Sequence, residues 1–161
     1  EEIAVILTDS ADKGKILAPL SHFFHQPGNR LSYQNTQIAE ENGLVAGLVI
    51  AYYGADSPHL DRPINEYLQG QDIVLSAEAN ADEWYIDTLA VSPNFSGRGI
   101  GTALMRAVES RGVRLGHQKA ALLVNQENSR AQRLYTRLGY QHDTTLDLYQ
   151  HTYFHMSKTL S

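Results

Sequence analysis

From Val91 to Met105 the chain reads Val-Ser-Pro-Asn-Phe-Ser-Gly-Arg-Gly-Ile-Gly-Thr-Ala-Leu-Met, a strand end followed by a glycine-rich turn and the start of a helix. Gly97, Gly99 and Gly101 leave backbone N–H groups unshielded by side chains where this helix begins. Several charge-assisted hydrogen bonds, at roughly 1.5 to 3 kcal/mol each, outweigh a helix dipole worth about 0.3 to 1 kcal/mol. The turn therefore predicts a phosphate or pyrophosphate site, with a purely structural turn as the alternative.

Residues 96–101, called the glycine turn below, do not fit two common nucleotide-binding motifs. A P-loop requires Gly-x-x-x-x-Gly-Lys-Ser/Thr, which is absent from this sequence. A dinucleotide fingerprint requires a further glycine three residues after the second one, but the residues three positions after Gly99 and Gly101 are Thr102 and Leu104. On its own, the glycine turn is weak evidence for any one ligand.

A second group of residues follows at helical spacing. Asn128, Ala131, Tyr135 and Gly139 lie at i, i+3, i+7 and i+11, which places the first three along one helix face. Asn128 is a favourable N-cap and Gly139 a favourable helix stop, so the pattern predicts a helix over residues 129–138. Tyr135 is thereby aimed along the same side as the cap.

Hydrophobic periodicity predicts the elements around these two motifs. Asn42-Gly43 joins two strand-like runs and supplies the positive φ angles of a tight hairpin turn. Residues 54–72 are expected to form a long loop or a short helix. The other predicted elements are helices over 1–7, 15–24 (with Pro19 able to interrupt it) and 99–115, and strands over 36–39, 44–53, 73–77, 83–91, 120–124, 140–145 and 152–158.

Strands and helices thus alternate without an internal repeat or a low-complexity linker, and 161 residues are enough for one domain. The prediction is a mixed α/β domain with a strand, turn, helix and strand at its centre.

Three segments occur together in order: Tyr85-Ile-Asp-Thr-Leu-Ala-Val91, Ser96-Gly-Arg-Gly-Ile-Gly101, and Asn128-x-x-Ala-x-x-Leu-Tyr-x-x-x-Gly-Tyr140. In this combination and spacing the chain resembles the GNAT superfamily of acyl-CoA-dependent N-acetyltransferases, and its element order follows the family nearly from end to end. The resemblance implies an α/β (α+β) fold with a central mixed, mostly antiparallel twisted sheet flanked by helices. It also implies that residues 1–161 form a single domain without the family's first strand, which is expected upstream of Glu1.

The resemblance implies acetyl-CoA as cosubstrate and no metal. It assigns the glycine turn to the pyrophosphate, the strand edge to pantetheine, and a backbone N–H near Leu89 or Ala90 to the thioester carbonyl. Ser96 departs from the Gln or Arg usual at the first turn position, which weakens one expected phosphate contact. The expected cofactor-binding residues are Leu89, Ala90, Val91, Ser96, Gly97, Arg98, Gly99, Ile100, Gly101, Thr102, Asn128, Ala131 and Tyr135.

The family pattern also makes Tyr135 the proton donor to the departing thiolate, with a buried core tyrosine as the alternative. Deprotonating a primary amine at pH 7 costs about 4.6 kcal/mol, so a proton acceptor is useful. Glu83, Tyr85 and Asp87 alternate onto one strand face beside the expected thioester site. We expect Asp87, and after it Glu83, to act as the base or to hold a water, or else to hold the ammonium group.

The charge is divided unevenly along the chain. Residues 54–87 carry eight acidic residues and one arginine, a net charge of −7, whereas residues 98–137 carry eight basic and two acidic residues, a net charge of +6. This split predicts a cationic amine acceptor attracted to one segment and an anionic cofactor to the other, with two solvated surfaces as the alternative. A nucleic-acid surface is not expected, because basic and aromatic residues are not interleaved.

The composition excludes several other classes. With no Cys, the chain has no disulfide, no thiol nucleophile and no thiolate metal site. The longest apolar run, residues 43–53, is shorter than the roughly 20 residues that span a bilayer, and no signal peptide is evident. His151 and His155 lie about 13 Å apart on a strand, too far to share a metal. The expectation is a soluble, cytoplasmic protein without a membrane or nucleic-acid partner.

Three functions are compatible with the sequence. The first is transfer of an acetyl group from acetyl-CoA to a primary amine by direct attack, on a small-molecule or peptide acceptor. The second is a catalytically idle acyl-CoA-binding sensor on the same fold, and the third is an unrelated α/β binding domain. The acceptor, the acyl chain length and a homodimer stay open at this point.

Overall fold

The computed structural model describes residues 13–69 and 74–161. In these ranges the chain forms four α-helices and six strands, together with short 3₁₀ turns at Tyr33–Asn35, Gly54–Asp56 and Pro93–Phe95. In chain order the elements are α1 (Lys13–His25), β1 (Thr36–Glu41), β2 (Leu44–Tyr53), α2 (Ser57–Tyr67), β3 (Trp84–Val91), α3 (Ile100–Arg114), β4 (Lys119–Asn125), α4 (Ser129–Arg137), β5 (Gln141–Leu148) and β6 (His151–Thr159).

The six strands form one mixed sheet in the order β1-β2-β3-β4-β6-β5, in which β3 and β4 are parallel and all other neighbours are antiparallel. The predicted mixed, mostly antiparallel sheet is confirmed. The parallel register of β3 and β4 runs from Trp84 and Ala120 to Ile86 and Leu122 and stops there, although β3 continues to Val91. The two strands therefore part at Asp87, and we call this opening the fork.

Each face of the sheet has its own apolar core. On one face, α3 and α4 pack against the sheet in a cluster that includes Met105, Val108 and Tyr135. On the other face the cluster includes Phe23 of α1 and Ile64 of α2. Because helices cover both faces, β3 is buried at its start and reaches a more accessible region only at its end.

The local signals that end or begin elements are confirmed. Asn42 and Gly43 have φ angles of 54° and 75° and close the hairpin between β1 and β2. Asn128 caps α4, because its side-chain oxygen accepts a hydrogen bond from the N–H of Ala131 at 3.1 Å. Gly139, with a φ of 93°, follows the end of this helix.

A glycine inside α3 costs about 1 kcal/mol relative to alanine. The reason for Gly112 is close packing on β3, since a Cβ atom there would lie 2.7 Å from Cδ1 of Trp84. The indole also donates a hydrogen bond from Nε1 to the carbonyl of Val108 at 3.0 Å. Helix and sheet are thus held together at the start of β3.

One predicted strand is wrong. Residues 74–77 do not form a strand, and Ile73 lies outside the described residues. The N–H groups of Leu75 and Ser76 donate instead to the side chains of Asn65 and Tyr149, at 2.9 and 2.8 Å. Side-chain oxygens satisfy these amides, so the segment needs no neighbouring strand.

Two further expectations concern the N-terminal part of the chain and the segment after β2. Residues 54–72 contain the short helix α2, which was one of the two alternatives for this segment. The predicted helix over 1–7 falls on residues that the structure does not describe. None of the helices in 13–69 and 74–161 is both long and apolar enough to cross a bilayer.

Candidate active site

A cleft of about 740 Å³ lies between the end of β3, the glycine turn and α4. It begins beside the fork, so the strand end and both sequence motifs open onto one space. Among the residues that the sequence assigns to the cofactor, those lining the cleft are Leu89, Val91, Ser96, Gly97, Gly99, Ile100, Gly101, Thr102, Asn128, Ala131 and Tyr135.

The glycine turn is open toward this cleft. Gly97 and Gly99 both have φ angles of 79°, and apart from the adjoining residues no atom in the described part of the chain lies within 4 Å of the position a Cβ would take at either residue. Gly99 is the N-cap of α3, so the first N–H groups of the helix lack intrahelical partners. The turn thus presents free space and donors together, as an anion requires.

Two expected cofactor residues, Ala90 and Arg98, are not among the described residues that line the cleft. The Arg98 guanidinium pairs with the carboxylate of Glu41 at 2.8 Å and lies 5.4 Å from the ring centre of Phe95. Its charge is thereby held by the β1–β2 hairpin.

A different arginine reaches the glycine turn. Nη2 of Arg130, in the first turn of α4, donates to Oγ of Ser96 at 2.7 Å, and Arg130 lines the cleft. Sequence reasoning counted Arg130 as one of many basic residues and did not assign it to the site. The available signal was its spacing, since Arg130, Arg133 and Arg137 lie at i, i+3 and i+7.

A β-bulge at the fork changes the direction of the β3 side chains. Ile86 pairs with Ala51 and Thr88 pairs with Ile50, so Asp87 is an extra residue opposite two consecutive residues of β2. Such a bulge re-aims the residues that follow it. Asp87 keeps the face of Tyr85, on the α1 and α2 side, as regular alternation requires, whereas the bulge turns Leu89 to the opposite face, where it packs toward the α3 core and lines the cleft.

Backbone alternation distinguishes the two candidate N–H groups at the strand end. The N–H of Ser92 donates to the carbonyl of Ala46 on β2 at 2.9 Å. Because successive amides of a strand point to opposite sides, the N–H of Ala90 also points to β2. The N–H of Leu89 points the other way, toward the fork.

Tyr135 lies on α4 and lines the cleft, although the residue is only 9% exposed. Burial raises the pKa of its hydroxyl to about 12. Its ring contacts Tyr140 edge-on, with ring centres 6.1 Å apart. The hydroxyl therefore keeps its proton at every pH at which the fold is ordinarily studied.

On the opposite face, Asp87 belongs to a buried ionic cluster centred on Arg30, which is 2% exposed. Arg30 forms ion pairs with Asp87, with Glu78 at 2.9 Å and with Asp61 at 3.3 Å. Burial alone would lower the pKa of Arg30, but the surrounding carboxylates, Asp87 foremost, raise it well above its ordinary value. One cation thus faces three carboxylates, and the formal charge of the cluster is −2.

Tyrosine hydroxyls complete this cluster, which we call the Arg30 network (Arg30, Tyr52, Asp61, Glu78, Tyr85 and Asp87). Tyr52 donates to Asp87 at 3.3 Å, and Tyr85 donates to Glu78 at 3.0 Å. Burial, reinforced by the neighbouring carboxylates, raises the pKa of both tyrosines. Both therefore act as hydrogen-bond donors.

Glu83 is separated from this network, although the sequence places it on the same strand face. Its buried carboxylate accepts hydrogen bonds from Nζ of Lys119 at 2.8 Å and from the side chain of Asn80 at 2.9 Å, and it pairs with Nε2 of His155 at 3.1 Å. Burial raises the pKa of Glu83, but these hydrogen bonds outweigh burial and lower it to about 2. The two candidate bases, Asp87 and Glu83, thus belong to different clusters.

The chain matches the sequence model of the acetyltransferase (GNAT) family over residues 7–140. It is a member of the GNAT family. A solved acetyltransferase is 30% identical to it, with a TM-score of 0.79 and a match that covers 97% of this chain and 85% of that one. An N-acetyltransferase from Staphylococcus aureus Mu50 is 25% identical, with a TM-score of 0.81 over 97% of this chain and 91% of that one.

A more distant structure shares the fold alone with this GNAT domain. It is the paia N-acetyltransferase from Thermoplasma acidophilum in complex with coenzyme A, 16% identical with a TM-score of 0.53 over 77% of this chain and 59% of that one. In residues 13–69 and 74–161 of the present GNAT domain, no group of three or more His, Cys, Asp or Glu side chains is arranged to hold a metal ion.

The two charged segments of this GNAT domain divide among several clusters. From the acidic segment, Asp61, Glu78 and Asp87 enter the Arg30 network. From the basic segment, Arg130 and Arg137 line the cleft, whereas Arg98 and Lys119 form local ion pairs. The acidic and basic segments of the sequence therefore lie only partly on opposite sides of the fork.

Proposed function

We propose that this GNAT domain transfers an acetyl group from acetyl-CoA to a primary amine by direct attack. The supporting observation is the fork, where the cleft with the glycine turn and Tyr135 on one face adjoins the acidic Arg30 network on the other. Asp87 and Leu89 are two residues apart on β3, about 6 to 7 Å along the strand. A thioester in the cleft and an amine at the network would meet there.

On the cofactor side, the N–H groups of the glycine turn would hold the pyrophosphate. The exposed edge of residues 89–91 would pair with pantetheine. Of the two N–H groups considered for the thioester carbonyl, Leu89 is preferred, because strand alternation directs its N–H toward the fork. This donor would stabilise the negative charge that develops on the carbonyl oxygen as the amine attacks.

On the acceptor side, Asp87 would accept the proton from the attacking amine. As the new C–N bond forms, this nitrogen becomes far more acidic than a free ammonium, so a carboxylate is a sufficient acceptor. Glu83 is the weaker candidate, because a carboxyl whose pKa is about 2 has little affinity for a proton. The excess negative charge of the Arg30 network supports a cationic acceptor, which the network would attract as an ammonium ion. Because only a neutral amine can attack, the ammonium group would first release one proton to solvent, and Asp87 would accept the second proton as the C–N bond forms.

Tyr135 would donate its proton to the thiolate as the C–S bond breaks, and would recover a proton from solvent. With a tyrosine pKa of about 12 and a thiol pKa near 8.5, the transfer is uphill by about 5 kcal/mol. Ordinary pKa values alone would put this difference at about 2 kcal/mol. Since the thiolate would form in the same desolvated cleft, burial raises the thiol pKa too and reduces the difference.

The first experiment is a panel of amines incubated with acetyl-CoA, with release of free thiol as the signal. Polyamines and lysine-like amines are expected to react faster than neutral or acidic amino acids, and their advantage should shrink as salt rises. Equal rates for cationic and acidic amines would contradict the acceptor class and leave the transfer itself standing.

The second experiment replaces Tyr135 by Phe, which keeps the ring and removes the proton. The turnover number is expected to fall by about 10² to 10⁴, with nearly unchanged CoA affinity. Tyr140→Phe is the matched control, because Tyr140 contacts the same ring but bonds to Glu109 instead of lining the cleft. Loss of turnover that is equal in both variants would contradict the role of Tyr135.

A catalytically idle acyl-CoA-binding sensor is the second candidate. The observation in its favour is that Asp87 is already paired with Arg30 and has only 5% of its side chain exposed. Tight CoA binding without thiol release for any amine would support the sensor. A cytoplasmic location is part of both proposals, since a chain without Cys needs no oxidising compartment.

A further inference from the structure

The outer face of α4 carries a row of arginines whose charges are not neutralised by neighbouring acids. Arg130, Arg133 and Arg137 are exposed and lie at i, i+3 and i+7, so they share one face. None of the three takes part in the ion pairs found among residues 13–69 and 74–161. We call these three residues the arginine row.

The arginine row borders both the cleft and a groove beside it. Arg130 and Arg137 line the cleft, and all three residues line a shallow groove of about 660 Å³ on the outer side of α4. Arg130 is also bonded to Ser96 at the outer end of the glycine turn. A ligand that occupies the turn and extends outward would therefore meet these guanidinium groups next.

Unpaired charge and a place in the cleft or groove occur together only in the arginine row, among the exposed arginines that the structure describes; Arg106 and Arg114 also take part in none of the ion pairs found there, but they line neither the cleft nor the groove. Arg98 pairs with Glu41, and Arg62 lies 3.9 Å from Glu66 on its own helix. The arginine row adds three positive charges to a groove whose lining, among the residues described in the structure, contains no acid. Such a surface favours a compact ligand with more than one negative charge.

Coenzyme A carries two anionic parts, the pyrophosphate and a phosphate monoester on the 3′ carbon of its ribose. The pyrophosphate is matched by the backbone donors of the glycine turn. A phosphate monoester carries about −1.5 to −2 charges near pH 7 and offers three acceptor oxygens, which suits the forked donors of arginine. This second group needs a separate cationic site.

We propose that the arginine row binds the 3′-phosphate of the coenzyme and makes the domain selective for coenzyme A over its 3′-dephospho form. The inference rests on the proposed use of acetyl-CoA. It also explains why a short side chain is sufficient at position 96, where the family usually has a longer one. Ser96 accepts a hydrogen bond from Arg130. The cationic contact is supplied from α4 instead of from the turn.

The test is titration calorimetry with coenzyme A and with 3′-dephospho-coenzyme A. Wild-type protein is expected to bind coenzyme A about tenfold or more tightly than the dephospho form. The double variant Arg130→Gln, Arg133→Gln should lose this preference through weaker binding of coenzyme A, with binding of the dephospho form changed by less than about twofold. Arg106→Gln is the matched control, because Arg106 is an exposed arginine of α3 outside the cleft.

Each other outcome has a distinct meaning. Equal affinity of the wild type for the two coenzymes would overturn the 3′-phosphate site and leave the proposed function intact. Equal loss for both coenzymes in the double variant, with an unchanged circular dichroism spectrum, would assign the row to the pyrophosphate and overturn the inference as well. Wild-type protein that binds neither coenzyme would overturn the proposed function itself.

Discussion

The two sides of the fork are built from different interactions. On the proposed cofactor side, backbone donors and exposed arginines surround an open cleft, and its parts come from short stretches at the strand end, the glycine turn and α4. On the proposed acceptor side, a buried guanidinium is surrounded by carboxylates from three separate segments, 31 to 57 residues away along the chain. Substitutions in the cleft are therefore expected to change binding without loss of the fold. Substitutions in the Arg30 network are expected to change both the reaction and the stability of the protein.

The largest expected effect is on the buried side. Arg30→Met leaves three carboxylates without their cation, and breaking a buried ion pair in this way costs about 3 to 5 kcal/mol. Urea denaturation should show a loss of this size. The control is Arg98→Met, which removes an exposed pair with Glu41 and should cost less than about 1 kcal/mol. If both variants lost the same stability, the contrast between the two sides would be wrong.

The next largest effect is expected at the glycine turn, where two variants distinguish a loss of coenzyme binding from backbone strain. Gly99→Val places a branched side chain at a φ of 79° in the cleft, and coenzyme affinity is expected to fall by about tenfold or more. Gly116→Val is the matched control, because Gly116 has a φ of 88°, lies outside the cleft, and has no described residue other than its chain neighbours within 4 Å of the position a Cβ would take. Both variants should lose about 1 to 3 kcal/mol of stability through strain.

Calorimetry and thermal melting of the two glycine variants distinguish these effects. Equal coenzyme affinity in both variants would remove the glycine turn as the pyrophosphate site, whatever their melting temperatures.

How much the sequence could predict differs between the same two sides. The cap at Asn128 and the stop at Gly139 depend on local geometry, so fixed spacing was enough to predict α4 and its cleft-facing tyrosine. The Arg30 network depends on which distant segments the fold brings together, and no local pattern encodes that. The bulge at Asp87 was also beyond sequence reasoning, because strand alternation assumes a regular register.

The wrong prediction of a strand over residues 73–77 has a related cause. Apolar residues near Leu75 look like a strand, but the partners of their amides are side chains 10 and 73 residues away. Arg130 is the opposite case, since its helical spacing was readable but its hydrogen bond to Ser96 required the structure.

The smallest effect concerns the polar cluster around Glu83, which includes Lys119, Asp143 and His155. Hydrogen bonding to Glu83, assisted by Asp143, raises the pKa of His155 despite its burial. A raised folded-state pKa contributes stability that is complete below the unfolded value of about 6.5 and is lost as pH rises through the folded value. Glu83 behaves oppositely, since its contribution is lost as pH falls from about 4.3 toward 2.

The contribution of this cluster to the free energy of unfolding should therefore be greatest between about pH 4.5 and 6.5. His155→Gln should flatten the decline above pH 6.5 in urea denaturation, whereas His151→Gln, at the exposed start of the same strand, should leave it unchanged. If the stability of the His155→Gln variant fell above pH 6.5 by as much as that of the wild type, groups other than His155 would control this decline.

The central claim is that acetyl transfer takes place at the fork with Asp87 as proton acceptor. The most direct measurement is single-turnover acetyl transfer to the best amine of the panel by wild-type protein and by Asp87→Asn, with coenzyme affinity measured in parallel. Asparagine keeps the size of the side chain and one acceptor oxygen for Arg30 and Tyr52, but it carries no charge and accepts no proton, so urea denaturation is measured alongside to show that the variant is folded. We predict a rate lower by about 10² or more with unchanged coenzyme affinity, and a variant as fast as wild type would contradict the account.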